Sequence, residues 1–201
     1  MAQVNEQQLP GVMAGARDDD AEEAAVVRKV SRRLMWFLFM VSALSYLDRI
    51  NISFAALSMN KTLGLTATTY GLAMTIFYVG YVMCEVPSNV LLAKFGARLW
   101  LSRIMITWGI ASAATMFIYD ATSLYVMRFI LGVAEAGFTP GVLLFLTFWF
   151  PRKYRARATG YFIIALAFAV VIGSMISGLI LKMPPYFGLE NWRWLFLIEG
   201  L

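Results

Sequence analysis

Histidine is absent from this 201-residue chain, and cysteine occurs once, at Cys84. Without histidine there is no side chain whose ordinary pKa suits a proton relay near neutrality, so any coupled proton falls to Asp and Glu. A single cysteine excludes an internal disulfide and a thiolate metal cluster. Charge is scarce as well: Asp, Glu, Lys and Arg make up 14% of the residues, where a soluble domain carries about a quarter. Missing too are a nucleophile elbow of the G-x-S-x-G kind and a phosphate-binding glycine loop. These absences argue against an enzyme, and nothing in the sequence calls for a cofactor or a metal.

What is present is apolar length. Apolar residues fill 60% of the chain, and they lie in runs with the charges gathered between them. A helix crossing lipid needs roughly 20 such residues. Five runs qualify, at about 34–59, 70–93, 99–119, 124–150 and 158–181. A sixth begins near Trp194 and meets the last residue, Leu201, after about 12 Å of rise, short of the roughly 30 Å hydrocarbon core. The expectation is an all-α, polytopic membrane bundle cut inside its sixth helix. Residues 1–33 begin polar and acidic, carry no signal peptide, and read as a disordered cytoplasmic tail.

The net charge of +5 is a matter of topology rather than of nucleic acid. Arg17, Arg28, Lys29, Arg32, Arg33, Lys94, Arg98, Arg152, Lys153, Arg155 and Arg157 fall on one side of the expected spans. Only Lys61, Lys182 and Arg193 fall on the other. By the positive-inside bias the N-terminus is cytoplasmic, and the membrane expected for such a chain is the cell (inner) membrane. Small residues four apart mark close helix contacts: Gly132 with Ala136, Gly137 with Gly141, Gly173 with Ser177, and Ser174 with Gly178. Pro87 and Pro140 lie inside spans, where each removes a backbone donor and kinks its helix.

Seven ionisable residues fall within the apolar runs: Asp48, Arg49, Glu85, Arg103, Arg128, Glu135 and Glu199. Each costs about 2.5–3.5 kcal/mol at a helix centre on the insertion scale, so each is a functional candidate. At 1.5 Å per residue, Asp48 lies about 9 Å from the outer edge, between Arg128 at about 6 Å and Glu135 at about 17 Å. Arg128, Gly132, Glu135 and Thr139 make one helical stripe, and Ser45, Asp48, Arg49 and Asn51 make a polar patch with Tyr46 beside it. If the two faces meet, two acids and two arginines share a site of zero formal charge. A proton on one acid then leaves a surplus positive charge that an organic carboxylate cancels. The competing reading is a pair of structural ion pairs. Glu85 and Arg103 are shallow, which fits a gate or structural pair; snorkelling of Arg103 is the alternative. Tyr78 and Tyr81 are candidates for lining a cavity, with lipid or helix contact equally open. Glu199 is too near the chain end to assign.

Four stretches carry a family resemblance: SYLDRINISFAAL, EVPSNVLLAKFGARLWLSRIMITWG, RFILGVAEAGFTPGVLLFLTFWFPRKYRARA and NWRWLFLIEG. In this order, over residues 34–201, they resemble the major facilitator superfamily, and within it the anion:cation symporter family of tartrate, phthalate and 4-hydroxyphenylacetate permeases. The resemblance implies the N-terminal six-helix half of a twelve-helix proton symporter for organic anions, working by alternating access. It implies Asp48 and Glu135 as proton-coupling acids and Arg49 and Arg128 as contacts to the substrate carboxylate; Tyr46, Asn51, Tyr78 and Tyr81 are further substrate-binding candidates by their positions alone. The partners so implied are a small organic anion, a proton, the lipid bilayer and the missing C-terminal half. The sequence departs from the family pattern at NVLLAKFGAR, where Ala93 stands for the usual acid and Asn89 for the first glycine. In the fifth span IIALAFAV offers no hydrogen-bonding side chain, which favours an aromatic or dicarboxylic acid over a sugar acid. A sugar-acid symporter, an uncoupled facilitator or exporter of the same fold, and an inactive fragment are the alternatives.

Overall fold

The apolar runs fold as helices throughout the residues that the computed structural model describes, 9–183 and 188–200, with side chains from Glu22 onward. The elements are α1 (Leu9–Leu63), α2 (Ala67–Phe95), α3 (Ala97–Ala114), α4 (Ala121–Glu135), α5 (Phe138–Trp149), α6 (Arg152–Lys182) and α7 (Asn191–Gly200). A 3-10 turn at Thr115–Phe117 follows α3, and the described residues contain no strand. The connections carry their own stop and start signals. The Thr66 hydroxyl accepts from the Thr69 N–H at 3.1 Å and opens α2. At α4 the Asp120 carboxylate accepts from the Ser123 N–H at 2.7 Å, while the Ser123 hydroxyl oxygen accepts from the Asp120 N–H at 3.0 Å. Bonding to the Ser123 side chain and backbone N–H holds the Asp120 carboxyl below its ordinary value.

α1 lies along α6, α2 along α4, and α3 against α7 and α4. The closest approach is between α2 and α4. A Cβ on Gly80 would stand 2.8 Å from the Phe129 carbonyl, and one on Gly132 would collide with the Phe77 carbonyl. In lipid, where burial of apolar surface drives nothing between helices, such backbone contact is a main source of attraction. Two apolar layers close the ends of the bundle. One gathers Met35, Leu38 and Val41 with Ile104, Phe138 and Phe162. The other gathers Ile52, Ala55 and Met59 with Leu124, Trp192 and Phe196. Asp48 and Arg49 of α1, with Arg128 and Glu135 of α4, fall between them.

Several expectations are corrected. Residues 9–33, read from sequence as a disordered tail, continue α1 as helix, and residues 1–8 lie outside the described residues. The stretch AEEAAVVRK is rich in strong helix formers; Val27 and Val30 pack on the first apolar layer, and Glu23 pairs with Lys153 at 3.4 Å. The fourth span, expected unbroken from 124 to 150, divides at Ala136–Gly137, where Gly137 takes φ +84. Only glycine adopts that conformation without strain, and Pro140, in the first turn of α5, needs no intrahelical acceptor there. Three rods are long and apolar enough to cross a membrane: Ala67–Phe95, Ala121–Trp149 and Arg152–Lys182. α1 and α3 fall outside that group, their apolar stretches interrupted by Asp48 and Arg49 and by Arg103. The expected contact through Ser174 and Gly178 is not made, since Gly178 has open space beside it and Ser174 is exposed.

Candidate functional site

α1 turns one face inward at mid-bundle, and that face carries Ser45, Asp48, Arg49 and Asn51. α4 brings Arg128 and Glu135 to the same level, seven residues or nearly two turns apart. Asp48 and Arg128 are each 2% exposed and Glu135 is 1% exposed, so three charges are sealed from solvent. Burial of this depth is tolerated only with polar partners.

The two acids are partnered differently. Both oxygens of Asp48 are engaged by neutral donors on α3: the Trp108 indole N–H donates to Oδ2 at 2.6 Å, and the Ser112 hydroxyl donates to Oδ1. Glu135 uses one oxygen only. Its Oε1 accepts from Arg49 Nη2 at 2.7 Å and from the Ser45 hydroxyl at 3.1 Å. Its Oε2 is buried with no hydrogen-bond partner.

The two arginines differ as well. The Arg49 guanidinium lies 4.9 Å from the Tyr81 ring centre and 5.6 Å from that of Phe77, a cation–π cradle that orients its free edge. Its side chain keeps 21% exposure, which makes it the accessible member of the cluster. Arg128 lies 6.0 Å from the Phe77 ring centre, so both arginines approach that ring. It is within electrostatic range of Asp48 and Glu135, yet its Nε and Nη2 have no hydrogen-bond partner. Trp108 and Ser112 hold Asp48, and no hydrogen bond joins that carboxylate to Arg128 Nε or Nη2. A guanidinium with free donors in a low-dielectric setting is suited to gripping a carboxylate through both oxygens.

Of the residues singled out from sequence, Asp48, Arg49, Arg128 and Glu135 are brought together, and Tyr81 joins them beneath Arg49. Asn51 is fully buried, beside Glu199 and one turn from Asp48. Tyr46 is half-buried on the same helix. Tyr78 is 53% exposed, meets Phe77 edge-on at 5.2 Å and lies within electrostatic range of Arg128. The stripe through Thr139 is interrupted, because Thr139 lies past the Gly137 break on α5. Glu85 and Arg103 do not pair: no ion pair joins them among the described residues, and Arg103 lies over the Trp100 ring at 4.2 Å. Sequence reasoning missed Trp108, Ser112 and Phe77, none of which carries charge. A signal for Trp108 existed, since the other indoles fall at the ends of the apolar runs and this one falls inside a run, where its N–H needs an acceptor.

Comparison with known proteins places these features. Residues 38–201 match the model of the Major Facilitator Superfamily. A protein of Agrobacterium vitis named for tartrate transport is 50% identical over 178 residues, covering 89% of this chain and 40% of that protein. NicT, a Pseudomonas putida protein named for metabolite transport, is 47% identical over 185 residues, covering 92% of this chain and 42% of that protein. The chain thus spans about 40% of the length of these relatives. In fold it superposes on an inward-facing bacterial homologue of the human lysosomal transporter Spinster with TM-score 0.75 at 22% identity, over 84% of this chain and 41% of that one. The helix order, the sealed charge cluster between α1 and α4, and these matches lead to one assignment: the chain belongs to the Major Facilitator Superfamily of multi-pass membrane transporters.

Proposed function

We propose that the chain supplies half of the binding site of a symporter that moves an organic acid anion together with a proton by alternating access. The observation that carries this reading is the buried Arg128 guanidinium with two unpartnered N–H groups inside a cluster of zero formal charge. A substrate carboxylate seated on Arg128 adds one negative charge to that cluster. A proton on the unpartnered Oε2 of Glu135 restores neutrality and loosens the Arg49 pair, which frees Arg49 to take a second carboxylate oxygen. Anion and proton therefore favour each other's binding, which is thermodynamic coupling in the reciprocal sense. Asp48, held by Trp108 and Ser112, balances Arg128 between substrates.

An aromatic or dicarboxylic acid fits this reading best. Tyr81 and Phe77 offer ring faces beside the arginines, the α6 stretch IIALAFAV offers no hydroxyl or amide, and the name of the Agrobacterium vitis relative points to a dicarboxylate. The membrane is the cell membrane, and the N-terminus lies in the cytoplasm by the distribution of Lys and Arg.

Counterflow and uptake in proteoliposomes, with the complete gene product and labelled tartrate or an aromatic acid, test the proposal. Glu135→Gln is expected to abolish accumulation driven by a proton gradient while retaining exchange. Arg128→Ala is expected to lose exchange and binding together. Accumulation against a gradient by Glu135→Gln would remove that acid from the coupling step, and uptake indifferent to pH in the unmodified protein would select an uncoupled facilitator or exporter.

A further inference from the structure

Away from the charge cluster, the N-terminal part of α1 and the start of α6 enclose two adjoining grooves of about 380 and 480 Å³. They share Arg28, Ser31, Met35 and Tyr161. The first adds Arg157 and Tyr154 from α6, so cations from two helices face one another across a space edged by hydroxyl groups. The second adds Arg32 and then runs onto Trp36 and Phe39. Those rings stack at 6.1 Å, and Phe39 meets Phe168 of α6 at 5.4 Å, which carries the aromatic track down the α1–α6 seam. One end of the feature is cationic and hydroxyl-rich, and the other is apolar and open to the flank of the bundle. Glu23, an acid on the neighbouring turn, is engaged with Lys153 at 3.4 Å, and among the described residues no carboxylate pairs with Arg28 or Arg157.

We infer that this groove is a binding site for an anionic phospholipid, its phosphate between Arg28 and Arg157 and one acyl chain along Trp36, Phe39 and Phe168. The amphiphilic order of the lining selects the ligand. A soluble organophosphate would gain nothing from the aromatic track, and a neutral lipid would leave the arginine pair unpaired. Basic pockets between transmembrane helices, on the side where Lys and Arg collect, are suited to anionic headgroups. The apolar floor supplies the contact area that a bare cluster of surface arginines lacks. Lipid seated there bridges α1 and α6 at the end where α1 leaves the bundle.

The experiment uses the full chain in detergent, melted with and without phosphatidylglycerol, phosphatidylcholine or glycerol phosphate. Phosphatidylglycerol is expected to raise the melting temperature, the other two to do so little or not at all, and added salt to diminish the effect. Removing both charges in R28Q/R157Q is expected to weaken the apparent lipid affinity about 25-fold, at about fivefold per charge. Equal stabilisation by phosphatidylcholine, by glycerol phosphate alone, or in R28Q/R157Q overturns the proposal. A second reading does not depend on that variant folding: brominated-chain phosphatidylglycerol is expected to quench tryptophan fluorescence more than brominated phosphatidylcholine, and the excess to vanish in W36F. An excess that persists in W36F places the lipid elsewhere and overturns the proposal as well.

Discussion

At the residue scale the cluster is governed by which donor reaches which oxygen. Trp108 and Ser112 each donate to one oxygen of Asp48, while two guanidinium nitrogens of Arg128 and one oxygen of Glu135 have no hydrogen-bond partner. Trp108→Phe keeps the aromatic volume and deletes one donor to a buried carboxylate, an interaction of about 1.5–3 kcal/mol. The released oxygen then turns toward Arg128 and competes with substrate. The expected outcome is a loss of roughly tenfold or more in equilibrium affinity for the organic anion, with the fold retained, measured by isothermal calorimetry or substrate-induced thermal shift. Unchanged affinity would assign Trp108 to packing alone. Charge at these positions was legible in the sequence because an ionised side chain inside an apolar run has no bland explanation. The neutral donors were not, because a serine or tryptophan in a helix is ordinary until a carboxylate is known to sit beside it.

At the element scale, close packing of α2 on α4 sets the cluster's dimensions. Gly80 and Gly132 allow the backbones to touch, and Phe77, which Arg49 and Arg128 both approach, is the residue whose carbonyl Gly132 abuts. Adding one methyl at Gly132 forces the helices apart and moves Phe77 with them. Gly132→Ala is expected to destabilise the bundle by about 1–3 kcal/mol, seen as a lower melting temperature in detergent, and to weaken anion binding as the arginines separate. A variant as stable as the parent would show that α2 slides without cost. The small-residue spacing announced this contact, while the same spacing at Ser174 and Gly178 announced one that is not made among the described residues. Spacing identifies which backbones are able to approach; the neighbour that uses the opportunity is set by the packing of whole helices. The break at Gly137 was half-visible, since Pro140 marked a disturbance but gave no indication that α4 stops at Glu135.

At the scale of the whole molecule, one end of the bundle collects the basic residues, and the apolar flanks of α2 and α6 are exposed, among them Val82, Met83, Val86, Ile163, Ile164, Val171 and Leu179. Such flanks require lipid or another apolar body. The proposed topology places position 61 outside the cell and position 153 in the cytoplasm. With Cys84 replaced by serine, a cysteine at 61 is expected to react with a membrane-impermeant maleimide from outside intact cells, and one at 153 only after permeabilisation. The reverse pattern would invert the proposed topology and, with it, the side on which the lipid groove lies.

Apolar run length announced the helical class, because a backbone in hydrocarbon has to satisfy its own hydrogen bonds within the helix, but not the division of the fourth run at Gly137. Rise per residue put Asp48, Arg49, Arg128 and Glu135 at overlapping levels along their helices, which made a shared cluster an expectation before any coordinates. Which acid faces which arginine was a tertiary decision. Depth alone leaves rotation about each helix axis undetermined, and the pairing of Arg49 with Glu135, the capture of Asp48 by α3 and the separation of Glu85 from Arg103 all depend on that rotation. The helical state of residues 9–33 was equally beyond local reading: a charged amphipathic stretch is marginal alone, and contact with the α5–α6 end of the bundle, through Val27, Val30 and the Glu23–Lys153 pair, gives it a surface to fold against.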